Sequence, residues 1–182
     1  RSEMKSMAFH FTHSLGNKKM TLTTHSIIAA AVTKPLAAMN PLLAFAIAIA
    51  SHYLSDAIPH WDYPLQSIEN PEDKENRKWG SGRSALIKDI SSMGVDGFLG
   101  VGIVLAVVRP VTAQEWIWVI AAIVGGCLPD FLQGLYMFRL KFLRPHQWLH
   151  DIFHSNIRLG PYPLFGIPFQ LIIAVIALYI LM

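Results

Sequence analysis

The chain has 182 residues, of which 53% are hydrophobic and only 15% are charged. That composition excludes an ordinary water-soluble domain, because several apolar runs approach or exceed the roughly 20 residues that cross a bilayer as a helix. The net charge of +3 is expected to mark loops at an anionic lipid surface, and no nucleic-acid partner is expected. We therefore predict an all-α, polytopic membrane bundle with about five transmembrane helices and one amphipathic interfacial helix.

Two further features bound the organisation of the chain. The one cysteine, Cys127, lies inside an apolar run, which excludes an intramolecular disulfide and a thiolate metal cluster. Residues 1–19 are polar and basic and lack the apolar stretch of a secretory signal peptide, so we expect a tail or leader there. Residues 20–182 are expected to form a single membrane domain, with a polar cytoplasmic loop at 61–83.

Six apolar or amphipathic segments follow one another along the chain. Their predicted bounds are 23–33 (A), 41–58 (B), 85–108 (C), 113–138 (D), 145–156 (E) and 164–182 (F). Segment A is short and would cross only a thin or distorted bilayer, whereas segment E is short, amphipathic and expected to lie at the interface. Segment D is expected to break near 125–130, where two glycines and a proline occur.

The basic residues predict the orientation of these segments. If A, B, C, D and F cross the membrane, the tail, the loop after B and the connection from D to F share one side. Twelve of the fifteen Lys and Arg residues lie on that side, Lys34 and Arg109 lie on the other, and Lys88 lies within segment C. By the positive-inside rule the first side should be cytoplasmic, in a prokaryotic inner or plasma membrane.

Histidine and aspartate residues from five segments fall on the predicted cytoplasmic half. They are His25, His52, Asp56, His60, Asp89, Asp96, Asp130, His146, His150 and His154. Polar residues that serve only structure would be scattered over both halves, so this convergence indicates a site. Imidazole and carboxylate ligands suit zinc, and equally manganese or iron, and the number of residues would serve one to three ions.

Helical spacing supports this hypothesis. His52 and Asp56 lie one turn apart on the same face of segment B, just before Pro59 ends the regular helix. The three histidines of segment E follow one another at intervals of four residues and share one face. Ionisable groups placed in this way cost free energy in a membrane unless something binds them.

Several of these residues also have a structural interpretation. Asp89 and Asp96 could pair with Lys88 or cap neighbouring backbone, and Asp130 could cap the turn after Pro129. Some of the histidines could be hydrogen-bonded or interfacial polar residues: His25, His150 and His154. His146 is better explained as a helix-start residue, and His10 and His13 as parts of the tail.

Four short stretches resemble the integral-membrane metal-dependent hydrolases, inner-membrane proteins often described as LexA-binding and similar in motif style to zinc-dependent phospholipase C. The stretches are Thr24-His25, Ser51-His52-Tyr53-Leu54-Ser55-Asp56 with Pro59-His60, Leu128-Pro129-Asp130, and His150-Asp151-Ile152-Phe153-His154-Ser155. The resemblance covers roughly 20–154. It implies a helical membrane fold with a metal-supported hydrolase site.

The sequence therefore predicts a membrane-embedded hydrolase that acts on a phosphoester in a lipid or lipid-linked substrate. The predicted metal ligands are His25, His52, Asp56, His60, Asp130, His150 and His154. Asp89 and Asp96 are predicted to bridge ions or act as general base, and Lys88, Arg83 or Arg144 to bind phosphate oxygens. Two alternatives stay open, an ion or proton transporter and a non-catalytic scaffold whose helices are held together by metal. The sequence leaves the oligomeric state undetermined.

Overall fold

A computed structural model of the chain describes residues 18–19, 21–61, 63–70, 73, 76–80, 82–155, 159 and 162–182. These residues contain six α-helices: α1 (Leu22–Thr33), α2 (Pro41–Asp56), α3 (Arg83–Val108), α4 (Ala113–Met137), α5 (Arg144–Phe153) and α6 (Pro163–Leu181). Short 3-10 turns follow α1 at Lys34–Leu36 and precede α5 at Lys141–Leu143. The prediction of a mostly helical fold is confirmed.

Four two-residue strands form two antiparallel pairs beside the bundle. β1 (Lys18–Lys19) pairs with β2 (Tyr63–Pro64), and β3 (Ile68–Glu69) pairs with β4 (Lys78–Trp79). Of the predicted tail at 1–19, only β1 lies within the described residues, and His10 and His13 lie outside them.

Local sequence fixes several helix starts. The Asn40 side chain accepts hydrogen bonds from the backbone amides of Leu42 and Leu43, and Pro41 occupies the first helical position of α2. At α4, Thr112 and Glu115 cap each other's backbone in a capping box. These caps account for the agreement between the predicted and observed starts of the two helices.

The expected break in segment D does not occur, because α4 runs through Pro129 without interruption. A proline in a helix clashes with the carbonyl group four residues earlier and removes one hydrogen bond. That earlier residue is Gly125, and neighbouring helices pack tightly around it. The packing therefore outweighs the local cost of the proline.

Three helices, α3, α4 and α6, are long and apolar enough to cross a membrane. Helices α1 and α2 have 12 and 16 residues, which correspond to about 18 Å and about 24 Å, against a hydrocarbon core of about 30 Å. Five full spans therefore stay a prediction, and three is the number that length and composition support among the described residues.

Helix α1 lies at the centre of the bundle and packs against α2, α3, α4 and α6. Glycine permits this close approach: a Cβ atom on Gly126 would lie 2.7 Å from the Cβ atom of Ala29 and 3.1 Å from the carbonyl oxygen of His25. An apolar core of residues such as Ile27, Val104 and Val119 fills the bundle beyond His25.

Helix α3 is apolar over most of its surface and is little buried. Its buried residues are Asp89, Gly100 and Val104, while Phe98 and Val95 are 81% and 70% exposed. A long helix that exposes large apolar side chains in this way is suited to contact with lipid.

The polar loop between α2 and α3 is held against the helices. Leu65 and Trp79 of the loop pack with Met137, and the Trp79 indole donates a hydrogen bond to the carbonyl oxygen of Gly134. The Asp89 carboxylate accepts hydrogen bonds from the backbone amide and the hydroxyl group of Ser67, at 2.8 and 2.6 Å. These contacts place the loop over the same end of the bundle as the histidines.

Candidate metal centre

Four helices bring histidine and aspartate side chains together at one end of the bundle. They come from the start of α1, the end of α2, the last third of α4 and the middle of α5. Five of these residues are at most 3% exposed: His25, His52, Asp56, Asp130 and His150. Such burial of ionisable groups requires a partner of opposite charge.

Asp56 lies at the middle of this group. Its carboxylate oxygens lie 3.2 Å from Nε2 of His25, 3.2 Å from Nε2 of His52 and 3.4 Å from Nε2 of His150. Asp130 lies farther away, 3.5 Å from Nε2 of His150 and 4.0 Å from Nε2 of His25. Three imidazoles and two carboxylates therefore share one small volume.

The opposite edge of each imidazole ring is held by a hydrogen bond. Ser55 donates its hydroxyl proton to the carbonyl oxygen of His52, at 2.8 Å, so its oxygen is left to accept from Nδ1 of His25, at 3.0 Å. Nδ1 of His52 donates to the carbonyl oxygen of Gly126 at 2.8 Å. When neutral, both rings are thereby fixed in the tautomer whose Nε2 atom carries a lone pair rather than a proton.

The side-chain amide nitrogen of Gln133 donates to Nδ1 of His150 at 3.1 Å, which holds that ring in place with Nδ1 as the acceptor. Among the described residues, the Nε2 atoms of His25, His52 and His150 have no aligned hydrogen-bond partner, although carboxylate oxygens lie close by. A lone pair that faces a carboxylate at this distance is repelled unless a cation lies between them. The donor set and its geometry could hold a metal ion.

A second group of ligand atoms extends from Asp56 towards the loop. Nδ1 of His60 donates to the carbonyl oxygen of Ile58 at 2.7 Å, and the rings of His60 and His154 lie 5.2 Å apart. The Ser155 amide donates to the carbonyl oxygen of Asp56 at 2.8 Å, which ties the end of α5 to the end of α2.

Three overlapping sets of ligand atoms could each hold an ion, and within each set the atoms lie within 4.8 Å of one another. The sets are His25, His52 and Asp56; His52, Asp130 and His150; and Asp56, His60 and His154. All seven residues predicted as ligands belong to at least one set. Because the sets share residues, they describe one connected centre, and the number and identity of the ions stay predictions.

The sequence analysis did not identify the residues that orient the histidines. Ser55 and Gln133 are 4% and 3% exposed, and Gly126 contributes only its carbonyl oxygen. Gln133 follows Asp130 by three residues and therefore lies on the same face of the helix. This spacing is the one feature of the sequence that could have identified Gln133. The roles of Ser55 and Gly126 depend on which helices pack together.

The structure does not place Asp89, Asp96 or Lys88, the predicted catalytic residues, in any of the three sets. Asp89 binds Ser67 of the loop, and Lys88 is exposed. Asp96 accepts hydrogen bonds from the amides of Leu22 and Thr23, at 2.5 and 3.3 Å, and so caps the start of α1.

Arg83 is also exposed, at the first residue of α3, and Arg144 lines a separate cavity beside α5. His146 lies in the first turn of α5, outside the three sets, and its ring lies 6.1 Å from that of His150.

Asp96→Asn tests the capping role. We expect the bound metal to be retained, while the free energy of unfolding falls by about 1 kcal/mol, because the α1 amides lose a charged acceptor. Metal analysis and thermal unfolding of the detergent-purified variant measure both quantities. Loss of metal with unchanged stability would instead place Asp96 in the centre.

No protein-family model, curated protein or solved structure matches this chain. The functional assignment therefore rests on the geometry of the centre.

Proposed function

We propose that the protein is a membrane-embedded metal-dependent hydrolase that cleaves a phosphoester in a lipid or lipid-linked substrate. The observation that carries this proposal is the set of buried Nε2 atoms of His25, His52 and His150, which have no aligned hydrogen-bond partner among the described residues and face the carboxylates of Asp56 and Asp130. Three oriented imidazoles and two carboxylates are the donor set of a divalent-metal site.

Zinc suits this donor set, and manganese or iron would also be accommodated. His25, His52, Asp56 and His150 would hold the first ion, and His60 and His154 would share Asp56 with a second. When bound, such ions supply Lewis-acid polarisation of a phosphoryl oxygen and activation of water.

Asp130 is our candidate for the general base. Its oxygens lie 3.5 and 4.0 Å from the nearest histidine nitrogens, farther than those of Asp56. In hydrolysis, a bond forms between the water oxygen and phosphorus, and the bond from phosphorus to the leaving oxygen breaks. Asp130 would accept the proton that the water loses.

The position of the centre favours a substrate at headgroup level. His25 lies eight residues, or about 12 Å of helix, from the end of α1 at Thr33, and the apolar core fills this distance. The centre lies at the other end, where the predicted cytoplasmic loop and α5 cover it. A substrate whose chain stays in the bilayer could present its phosphoester there.

Hydrolysis of defined lipid phosphates tests the proposal. Detergent-purified protein loaded with zinc or manganese would be incubated with phosphatidic acid, phosphatidylglycerol or a polyprenyl phosphate, and the released phosphate or headgroup measured. We expect one of these to be cleaved, and Asp130→Asn to slow that cleavage about 100-fold or more while retaining metal.

Asp96→Asn is the matched control, since it removes a carboxylate that lies outside the three sets. Stoichiometric metal without cleavage of any of these substrates would contradict the hydrolase and favour the metal-held scaffold. The transporter alternative requires ionisable groups along the depth of the bundle, but the described ionisable residues of the centre lie together at one end.

A further inference from the structure

A second polar cavity, distinct from the metal centre, lies where α4 ends and α5 begins. Its volume is about 350 Å³, within the range of small-ligand pockets. The described residues that line it are Asn76, Arg77, Tyr136, Arg139, Lys141 and Arg144. Four of these six carry a positive charge.

The described side chains that line this cavity carry a net positive charge. None of the described residues that line it is acidic, and Arg77 pairs at 3.3 Å with Asp151, which lines the apolar cavity beside it. The carboxyl end of α4 and the amino end of α5 meet here. The negative partial charge of the first and the positive partial charge of the second largely cancel, so the charged side chains determine the sign of the local charge. Arg139 holds a left-handed backbone conformation, with φ of 72°, at the edge of the cavity.

A larger apolar cavity of about 660 Å³ adjoins the basic one and shares Tyr136 and Arg144 with it. Its lining includes Gln147, which is 2% exposed and whose amide nitrogen and oxygen have no hydrogen-bond partner among the described residues. A buried amide without a partner costs free energy, and a polar ligand in the cavity would satisfy it.

Large apolar side chains surround the two cavities and are exposed. Phe142, Trp148 and Ile152 are 75%, 66% and 55% exposed, and the last two belong to α5. A short amphipathic helix with an exposed aromatic face beside a basic cluster is typical of a membrane interface. These features favour a lipid over a soluble anion as the occupant.

We propose that the two adjoining cavities form a binding site for an anionic phospholipid. The phosphate group would lie among Arg77, Arg139, Lys141 and Arg144, and part of an acyl chain would lie in the apolar cavity against Trp148 and Ile152. Guanidinium groups suit phosphate because they donate two parallel hydrogen bonds. This site does not depend on whether the metal centre hydrolyses a substrate.

Native mass spectrometry of the detergent-purified protein tests the site. The probes are phosphatidylglycerol and phosphatidylcholine of equal chain length, together with inorganic phosphate as a separate arm. We expect phosphatidylglycerol to bind at least tenfold more tightly than phosphatidylcholine. The double variant Arg139→Asn and Lys141→Gln should bind phosphatidylglycerol about tenfold more weakly than the wild type, because each lost cation weakens phosphate binding.

The variants are chosen to preserve the fold. Asparagine tolerates the left-handed conformation at 139, and Lys141 is exposed. Arg109→Asn is the matched control, because Arg109 has a positive φ too but follows the far end of α3. Unchanged metal content in all variants would show that the folded centre is retained.

A second measurement uses fluorescence. Phosphatidylglycerol with brominated chains should quench the wild-type protein more than brominated phosphatidylcholine does, and Trp148→Phe should remove most of this excess. Equal binding of the two lipids, or phosphatidylglycerol affinity unchanged by the double variant, would overturn the proposal. Binding of inorganic phosphate as tight as that of phosphatidylglycerol would assign the cavity to a soluble anion instead.

Discussion

Asp56→Asn is expected to leave the purified protein with almost no bound metal. Asp56 is the one carboxylate that belongs to two of the three ligand sets, and its oxygens lie 3.2–3.4 Å from three imidazole nitrogens. Asparagine keeps the shape of the side chain but loses the negative charge and one of the two acceptor oxygens. Loss of a residue that only orients a metal ligand typically lowers metal affinity roughly 10- to 100-fold. Because Asp56 is itself a proposed ligand, we expect a larger fall in the metal affinity of this variant.

Elemental analysis of protein purified in zinc- or manganese-supplemented buffer gives the measurement. Asp96→Asn serves as the comparison, because it makes the same chemical change at a carboxylate that caps α1. Full metal content in Asp56→Asn would rule out Asp56 as a shared ligand. Equal loss in both variants would indicate a general effect on the fold.

Removal of metal from the wild-type protein is expected to lower its thermal stability, and re-addition to restore it. Without a cation, the buried Nε2 lone pairs of His25 and His52 face two carboxylates that are at most 3% exposed, those of Asp56 and Asp130. This repulsion is relieved by a bound ion. At a free metal concentration a thousand times Kd, binding stabilises the folded state by about 4 kcal/mol.

Thermal unfolding followed by circular dichroism, before and after chelation and with each metal returned, measures this effect. Zinc and manganese should stabilise the wild type, and Asp56→Asn should respond to neither. Calcium is the metal control, because it prefers oxygen ligands alone and should give little recovery. Stabilisation by calcium as large as that by zinc would argue against imidazole ligation.

The candidate centre was largely predictable from the sequence because its chemistry is unusual for its surroundings. Histidine and aspartate in apolar segments are costly, and their spacing of four residues on α2 and α5 placed them on common helix faces. The structure brings those residues together. The same reasoning also selected Asp89 and Asp96, since a carboxylate that caps a helix or ties a loop has the same sequence signature as a ligand.

The sequence by itself determined the helical class, the apolar character of the long helices and the helix starts, since composition, periodicity and capping residues are local properties. It also placed the ionisable residues at one end. Tertiary structure decided which carboxylates face the imidazoles, how Ser55, Gln133 and the Gly126 carbonyl fix the rings, and that α4 continues through Pro129. These outcomes depend on the approach of helices that are distant in the chain, and that approach is set by close packing at small residues, which local sequence does not encode.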